Sequence, residues 1–271
     1  MRIIKHLFLF FVFLPFYSFG QKSNADLLHE ANAIADQGDY VSALADLKII
    51  KQSKEKDTSV FIAALMLSSE INTKLFNCED VIKDNEDIIK IYPVMEPSCQ
   101  SKIARFKRYL GDHAGSINAY KRILQLQPDD SVTICNLALS YNLLNKYDEA
   151  IKTLKTIHGS DHFPQEFYQY AIAFYHLNKL DSAKDFIDKY LLSDKGLNDQ
   201  LGYKDAALIY SGLGNKIKGC EYILKANQLL ISNRIEEKIN TQPDSFKVCW
   251  IYKNSLKEIE EIKSLKSKLC N

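Results

Sequence analysis

A helix-break-helix pattern recurs four times in this chain and constrains its fold more than any other feature. Each copy starts with Gly or Asn and has Ala or Ser five positions later; the copies start at Gly38, Gly111, Asn145 and Asn178. The last three are spaced 34 and 33 residues apart, and the 73 residues between the first two leave room for one degenerate unit. A period of roughly 34 residues predicts stacked helical pairs, because a single pair cannot bury its apolar face alone.

The clearest unit spans residues 131–163. Its apolar side chains recur at helical spacing on both sides of a polar break at Asn145 and Lys146, which predicts two amphipathic helices joined by a tight turn. The apolar positions are Ile134, Leu137, Ala138 and Tyr141 before the break and Tyr147, Ala150, Leu154 and Ile157 after it. Large and small apolar pairs, Asn at the turn, and an aromatic residue two positions later make this unit similar to the tetratricopeptide repeat. The resemblance implies an all-α, right-handed solenoid.

The same resemblance extends over five further segments. They are residues 24–57, 62–95, 97–130, 164–196 and 200–231. The 62–95 unit diverges from the pattern, because Phe76-Asn77-Cys78 stands where the usual turn residues are expected. We therefore predict about six helix-turn-helix repeats within residues 21–233.

Residues 234–271 lose the repeat register, and we predict that they form a C-terminal capping segment. Gln242-Pro243-Asp244 interrupts the chain, and a long amphipathic helix is expected to start at Ser245, with Asp244 or Ser245 as its cap. Such a helix suits the end of a solenoid, whose last repeat needs a cover with a polar outer face. Docking onto a partner is the alternative use of this helix. Trp250 is expected to pack in the core.

The first 20 residues have the pattern of a cleaved secretory signal. The basic stretch Met1–Lys5 precedes the wholly apolar Leu7–Leu14, and Ser18-Phe19-Gly20 supplies small residues before Gln21. A membrane anchor is the alternative, but Pro15 interrupts the apolar stretch, which is shorter than the roughly 20 residues of a spanning helix. Gln21 also stands where a bacterial lipoprotein requires cysteine. The sequence predicts a soluble exported protein, periplasmic or secreted, with no integral membrane segment after cleavage.

Charge and motifs weigh against several classes of function. Residues 1–20 contain Arg2 and Lys5 and no acid, so the remaining chain has 33 basic and 34 acidic residues. A nearly neutral chain lacks the positive field that nucleic-acid binding uses. The sequence also contains no Gly-x-Ser-x-Gly elbow, Gly-rich phosphate loop or His-Glu-x-x-His pair. We expect neither nucleic-acid binding, nor catalysis, nor a cofactor.

Two sets of residues could carry metal or redox chemistry. His158 and His162 flank a Gly-Ser-Asp loop that could coordinate a transition metal, and an enzyme using this loop is a minor alternative. We interpret the loop as an ordinary polar turn without metal, because two histidines on a loop lack a rigid third ligand and supporting hydrogen bonds. The six cysteines permit disulfides in an oxidising compartment, but their spacing does not specify the pairing.

The resemblance also indicates where a partner would bind. In tetratricopeptide repeat proteins the first helix of each unit lines a concave face that holds an extended peptide or a partner helix. Helical phase leaves nine first-helix residues outside the packing, and we expect them to contact the partner: Arg105, Arg108, Leu139, Asn142, Gln165, Tyr168, Ile172, Tyr175 and Lys204. This mixture of aromatic and basic groups suits a peptide with apolar and acidic side chains.

Several alternatives to this binding prediction remain. Tyr168 and Tyr175 are explained equally well by packing between adjacent first helices. A small-ligand or cell-wall glycan binder would use Tyr168, Tyr175 and Tyr210 as stacking surfaces. A purely structural subunit would space other proteins in a large complex. The favoured hypothesis is a non-catalytic scaffold of the bacterial envelope that binds a protein or peptide of unspecified identity.

Overall fold

The computed structural model describes residues 22–54, 57–158 and 163–270, and this part of the chain contains fifteen α-helices and no strand. The first twelve helices form six consecutive pairs, each packed on the next. The first helices of the pairs are α1 (Asn24–Asp36), α3 (Thr58–Leu75), α5 (Glu96–Leu110), α7 (Ser131–Leu143), α9 (Pro164–His176) and α11 (Gln200–Gly212). The second helices are α2 (Tyr40–Gln52), α4 (Cys78–Ile91), α6 (His113–Leu126), α8 (Tyr147–Leu154), α10 (Leu180–Leu191) and α12 (Lys216–Ser232). The predicted all-α solenoid of six repeats is confirmed.

Left-handed backbone at the turn inside each repeat explains the Gly and Asn of the sequence pattern. The φ angles are +86° at Gly38, +87° at Gly111 and +82° at Gly214, and they are +57° at both Asn145 and Asn178. Glycine adopts this conformation without steric cost, and asparagine tolerates it better than most residues. The recurring break in the sequence is therefore the point at which the chain reverses between two helices.

The diverged second repeat reverses in the same way with a bulky residue. Phe76 ends α3 with a φ of +55°, a conformation that is unfavourable for a side chain of this size. Its ring lies 4.4 Å from the ring of Phe246, far along the chain, and 6.3 Å from that of Tyr109. Packing against these rings offsets the backbone cost, so this repeat keeps the fold although it lacks the usual turn residue.

Buried alanines let the two helices of a repeat approach closely. Ala138, Ala150, Ala171 and Ala183 have no exposed surface, and they occupy the small positions of the repeat pattern. Larger apolar side chains such as Leu154 fill the space around them, and burying one such side chain contributes about 1.5–3 kcal/mol. The apolar core runs through the third to fifth repeats and continues through the sixth into the C-terminal helix.

Three more helices follow the repeats: α13 (Ile235–Asn240), α14 (Asp244–Lys247) and α15 (Trp250–Leu269). The prediction that one long helix starts at Ser245 is wrong, because the chain forms the four-residue α14 and starts again after Cys249. Neither Asp244 nor Ser245 caps α15. The Ser245 hydroxyl donates instead to the carbonyl oxygen of Leu75, and Phe246 packs on Phe76. These contacts hold α14 against the second repeat and set the bend.

Residues 244–270 form a C-terminal strap that joins the two halves of the solenoid. Its distal half covers α12, as predicted for a capping helix, with Ile259 and Ile262 buried in the core of the last repeats. A disulfide between Cys220 and Cys270 fixes the end of the strap to α12. Its proximal end reaches the third repeat, where the Trp250 ring meets the His113 ring edge-on at 4.7 Å. Trp250 is thus a packing residue, but it packs at a turn rather than in the core.

Some predictions concern parts of the chain outside the described residues. The predicted signal, residues 1–20, lies there, as do residues 159–162 of the histidine-containing loop. Within the described ranges, no helix combines the length and apolar character needed to cross a membrane. The same ranges contain no group of three or more His, Cys, Asp or Glu side chains arranged to hold a metal ion.

Candidate functional site

A groove runs along one end of three successive first helices, α5, α7 and α9. It consists of two adjoining cavities of about 90 and 430 Å³, which share Val132 and Asn136 as lining residues. We call it the central groove. Its other lining residues from these helices are Pro97, Ser98 and Ser101 of α5, Thr133, Cys135 and Leu139 of α7, and Gln165 and Gln169 of α9. Val132 is 57% exposed, so the groove offers an open apolar surface beside amide and hydroxyl groups.

Three of the predicted binding residues lie in or beside this groove, and a fourth, Arg105, lies on the same helix as one of them. Leu139 and Gln165 line it directly. The Arg108 guanidinium reaches the groove residue Asn136, with 3.4 Å between Nη1 and Oδ1, and lies 3.4 Å from the Tyr120 hydroxyl. Arg105 lies one helical turn earlier on α5, with its guanidinium 5.3 Å from the centre of the Phe106 ring.

Neither arginine makes an ion pair with another described residue. The Nε atom of Arg105 is buried and has no hydrogen-bond partner among the described residues. Arg108 contacts only neutral groups, and both of its hydrogen bonds are long. Among the described residues neither guanidinium has a carboxylate within ion-pair distance, although Asp130 also lines the groove. Arg108 is therefore the cation beside the groove that a partner carboxylate could complement.

Asn142 belongs to the packing rather than to the open surface. It is 6% exposed, and its amide nitrogen donates to both the backbone oxygen and the side-chain oxygen of Gln169 at 3.0 Å. These hydrogen bonds join α7 to α9 and fix the orientation of Gln169 in the groove. Asn142 therefore positions a groove residue. Another predicted binding residue, Ile172, lies one turn beyond Gln169 on α9 and is half-buried.

The remaining predicted residues lie at the distal end of the first-helix face, where the C-terminal strap packs. Lys204 is 6% exposed, and its ammonium group contacts Asp205 at 3.3 Å and Glu261 at 3.4 Å, and also bonds Glu258. Burial alone would lower the pKa of Lys204, but the carboxylates of Asp205 and Glu258 outweigh it and raise that pKa. Lys204 thus contacts a helix of the same chain, α15, through Glu258 and Glu261.

Both predicted tyrosines pack against the apolar cluster that contains the strap residues Ile259 and Ile262. The Tyr168 hydroxyl donates to Asp205 at 2.6 Å, and its ring lies 4.9 Å from that of Tyr190. Burial first, and then the charge of Asp205, raise the pKa of Tyr168 well above its ordinary value. The Tyr175 ring also lies edge-on to the His176 ring at 5.2 Å. Packing therefore explains Tyr168, and Tyr175 is less constrained.

These positions also bear on the glycan-binding alternative. Tyr210, the third tyrosine of that hypothesis, is buried and donates its hydroxyl to both carboxylate oxygens of Asp188, at 2.8 and 2.9 Å. The Tyr168 hydroxyl likewise donates a hydrogen bond to a carboxylate, that of Asp205. Two of the three aromatic side chains are thus engaged within the protein, so they do not form a stacking platform for a sugar.

A second, polar cavity of about 440 Å³ lies between α2, α3 and α4, and the sequence analysis missed it. At its base Lys51 donates to Asp84 at 2.8 Å and to Ser68 at 3.0 Å. Asp84 is 2% exposed, and its Oδ2 atom has no hydrogen-bond partner among the described residues. The sequence contained one indication of this buried carboxylate. Asp84 stands three residues after Val81 and four before Ile88, which places it on the packed face of its helix.

Comparisons with known proteins agree with the fold. Residues 133–157, which cover most of α7 and all of α8, match the family model described as tetratricopeptide repeat. No match was found among curated proteins. A tetratricopeptide repeat protein from Parabacteroides merdae superposes with a TM-score of 0.63 and 15% identity, over 92% of this chain and 99% of that chain.

Two further solved structures share the architecture. PilW, a widely conserved type IV pilus biogenesis factor, superposes with a TM-score of 0.56 and 18% identity, over 78% of this chain and 94% of its own. The C-terminal part of a repeat protein from Cytophaga hutchinsonii gives 0.55 and 12%, over 89% of this chain and 95% of its own. Identities this low establish the fold alone. With the single repeat match in α7 and α8, they show that this chain has the fold of tetratricopeptide repeat proteins.

Proposed function

We propose that this protein is a non-catalytic scaffold that binds a partner protein or peptide in the central groove. The observation that carries the proposal is the open groove across three consecutive first helices, in a fold whose members generally bind proteins. Preformed repeats lower the ordering cost of binding, because the receptor surface does not have to rearrange. Val132 and Leu139 supply apolar contact, and Asn136 and Gln165 supply hydrogen bonds.

The chemistry of the groove favours an extended segment with apolar side chains and a carboxylate. Arg108 is in contact with the groove residue Asn136 and carries a charge that its neutral neighbours do not balance. A guanidinium can hold a carboxylate through two parallel hydrogen bonds, an arrangement stronger than its present long contacts. An acidic residue next to a large apolar residue in the partner would satisfy both parts of the groove.

The bacterial envelope is the location that best suits this scaffold. The pattern of residues 1–20 is that of a secretory signal. The Cys220–Cys270 disulfide is typical of proteins that fold in an oxidising compartment. PilW, which shares the fold, is described as a pilus biogenesis factor and provides a precedent for such an assembly role. These features together support a periplasmic or secreted scaffold.

The test is capture of a partner from cell envelopes by the native protein and by two single variants. Val132→Glu places a charge in the centre of the groove at an exposed position, so the fold should tolerate it. Ile217→Glu is the matched control, because Ile217 is 86% exposed on α12 and does not line the groove. We expect a crosslinked partner to be retained by Ile217→Glu and lost by Val132→Glu. Equal capture by the two folded variants would exclude the groove as the binding surface.

A further inference from the structure

Two buried cysteines meet where the C-terminal strap contacts the second repeat. The Sγ atoms of Cys78 and Cys249 are 3.3 Å apart, although the residues are 171 positions apart in the chain. Both line a cavity of about 300 Å³. Val248, which is 74% exposed, lines the same cavity, so the space reaches the protein surface. A small thiol or disulfide reagent can therefore approach the pair from solvent.

We propose that Cys78 and Cys249 are a second disulfide site, which closes under oxidising conditions and joins the start of the strap to the second repeat. A disulfide requires a sulfur–sulfur distance of about 2.05 Å, so the two sulfur atoms need to approach by roughly 1.2 Å. Cys249 precedes the first residue of α15, and Cys78 is the first residue of α4. A small adjustment at these helix ends disturbs fewer backbone hydrogen bonds than one in the middle of a helix.

The other two free cysteines do not offer this geometry. Cys99 lies within α5 and packs in a cluster with Leu65 and Ile88. Cys135 lies within α7 in the main core cluster of the third to fifth repeats. Each is buried in a different part of the molecule from the Cys78 and Cys249 pair. The structure therefore selects one further pairing among cysteines whose sequence spacing permits several.

Oxidation of the two thiols requires an oxidant, and a small-molecule or protein disulfide is sufficient. One protein thiolate attacks the oxidant, forms a mixed disulfide and displaces one oxidant thiolate. The second protein thiolate attacks the protein sulfur of that mixed disulfide and displaces the other. The two protons lost by Cys78 and Cys249 are taken up by the two displaced thiolates. The protein pair is oxidised by two electrons, and the oxidant is reduced to two thiols.

The surroundings of the pair make this reaction slow at neutral pH. Burial, followed by the contact with Cys249, raises the pKa of Cys78 to about 12. The acidic side chains of Glu79 and Asp80 line the same cavity and oppose a thiolate there. Because the thiolate is the attacking species, attack by Cys78 should become faster as the pH rises.

The second disulfide changes what the strap can do. Cys220–Cys270 already fixes the distal end of α15, and Cys78–Cys249 would fix the residue immediately before its first turn. With both closed, the strap cannot leave the face that contains Lys204 without cleavage of a covalent bond. With the second pair reduced, the proximal end is held only by non-covalent contacts such as those of Trp250. Closure of this pair would therefore tether the strap covalently at both ends.

The test is disulfide mapping of the full-length protein after incubation with oxidised glutathione, alkylation of the remaining thiols and digestion with trypsin. Cleavage after lysine places Cys78 in the peptide 75–83 and Cys249 in the peptide 248–253, apart from every other cysteine. We expect these two peptides to be recovered as one disulfide-linked species, with Cys99 and Cys135 alkylated. We expect closure to be faster at pH 9 than at pH 7, and the closed form to melt roughly 10 °C higher than the open form.

A matched pair of variants separates this site from general oxidation. Cys249→Ser removes the linked species and leaves Cys78 free to be alkylated in the denatured protein, whereas Cys135→Ser leaves the linkage intact. If a variant fails to fold, disulfide mapping of the native protein alone tests the proposal. Free thiols on both residues after prolonged oxidation of the folded protein would overturn the proposal. A stable glutathione adduct on Cys78 that never exchanges with Cys249 would do so as well.

Discussion

The first helices of this solenoid form two surface regions from the same repeat pattern. One region is exposed, and the other is covered by the C-terminal strap. In the central groove Val132 is exposed, and beside it Arg108 forms hydrogen bonds only with neutral groups. At the distal end, Lys204 is buried under acidic residues of α15. The comparison teaches that a first-helix residue outside the repeat packing is not necessarily free. It is free only where no later part of the chain returns to cover it.

The distal end also shows what an occupied first-helix face looks like. The strap presents Ile259 and Ile262 to the apolar core, and its Glu258 and Glu261 to Lys204. Two apolar residues three apart, with acidic residues on either side of the first, are the chemistry that we propose for the partner of the central groove. The chain thus carries, in cis, one example of a segment that suits this kind of surface.

Loss of the Lys204 charge should have the largest effect on stability. Lys204→Met keeps most of the side-chain volume but leaves Asp205 and Glu258 without their cation. We expect a loss of about 2–4 kcal/mol in the free energy of unfolding, because an unpaired buried carboxylate is strongly destabilising and Glu261 stays partly hydrated. Urea unfolding followed by circular dichroism measures the change.

Lys263 provides the control for that variant. It contacts Glu236 at 3.1 Å and Glu260 at 3.3 Å, but all three side chains are largely exposed. We expect Lys263→Met to cost about 0–1 kcal/mol. Similar losses for the two variants would mean that burial does not distinguish the distal end.

The pH dependence of the Lys204 contribution follows from the direction of its pKa shift. The pKa is raised in the folded protein relative to its ordinary value of 10.5. The stabilisation is therefore fully present below that value and is lost as the pH rises through the raised folded pKa. In unfolding measurements between pH 7 and pH 9, the difference between native protein and Lys204→Met should stay constant. A difference that disappears within this range would contradict the assigned contacts.

Removing the hydroxyl group of Tyr168 should destabilise the protein more than removing that of Tyr175. Tyr168→Phe removes the hydroxyl that donates to the buried carboxylate of Asp205, and we expect it to cost about 1.5–3 kcal/mol. Tyr175→Phe should change the free energy of unfolding by less than about 0.5 kcal/mol, because its ring contact does not involve the hydroxyl. Thermal unfolding of the two variants side by side gives the comparison. Equal effects would place Tyr168 outside the packing.

Two glycines with almost the same backbone test the contact of the strap with the third repeat. Gly38 and Gly111 have φ angles of +86° and +87°, so an alanine at either position costs about 1–2 kcal/mol for the left-handed backbone. A Cβ at Gly38 meets nothing within 4 Å, whereas one at Gly111 would lie 3.2 Å from the Trp250 side chain. We expect Gly111→Ala to be the more destabilising, by roughly 0.5–1 kcal/mol more, in chemical unfolding. The reverse order would show that Trp250 does not pack at this turn.

The repeat architecture could be predicted from the sequence because it depends on local signals. A Gly or Asn that takes the left-handed conformation and an Ala that permits close packing each act within one helical pair, as Asn145 and Ala150 show. The second repeat was harder to predict because the signal for its turn is not local. Phe76 takes the unfavourable backbone conformation against Phe246, 170 residues away.

The course of the strap could not be predicted for the same physical reason. Helical periodicity identified an amphipathic C-terminal helix, but it carries no information on which distant surface receives the apolar stripe. Lys204 lies on a first helix, where the repeat pattern places it, but the strap covers it. Asn142 illustrates the complementary limit: helical phase placed it outside the packing of its own repeat, but it bonds Gln169 of the next one.

The smallest expected effect on stability concerns the open region. Val132→Glu alters an exposed side chain at the second position of α7, where a carboxylate also interacts favourably with the helix N-terminus. We expect the free energy of unfolding to change by less than about 0.5 kcal/mol, as for Ile217→Glu on α12. Urea unfolding of both variants measures this before any binding experiment. A loss as large as that of Lys204→Met would mean that Val132 is covered in solution, and the two regions of the face would then be alike.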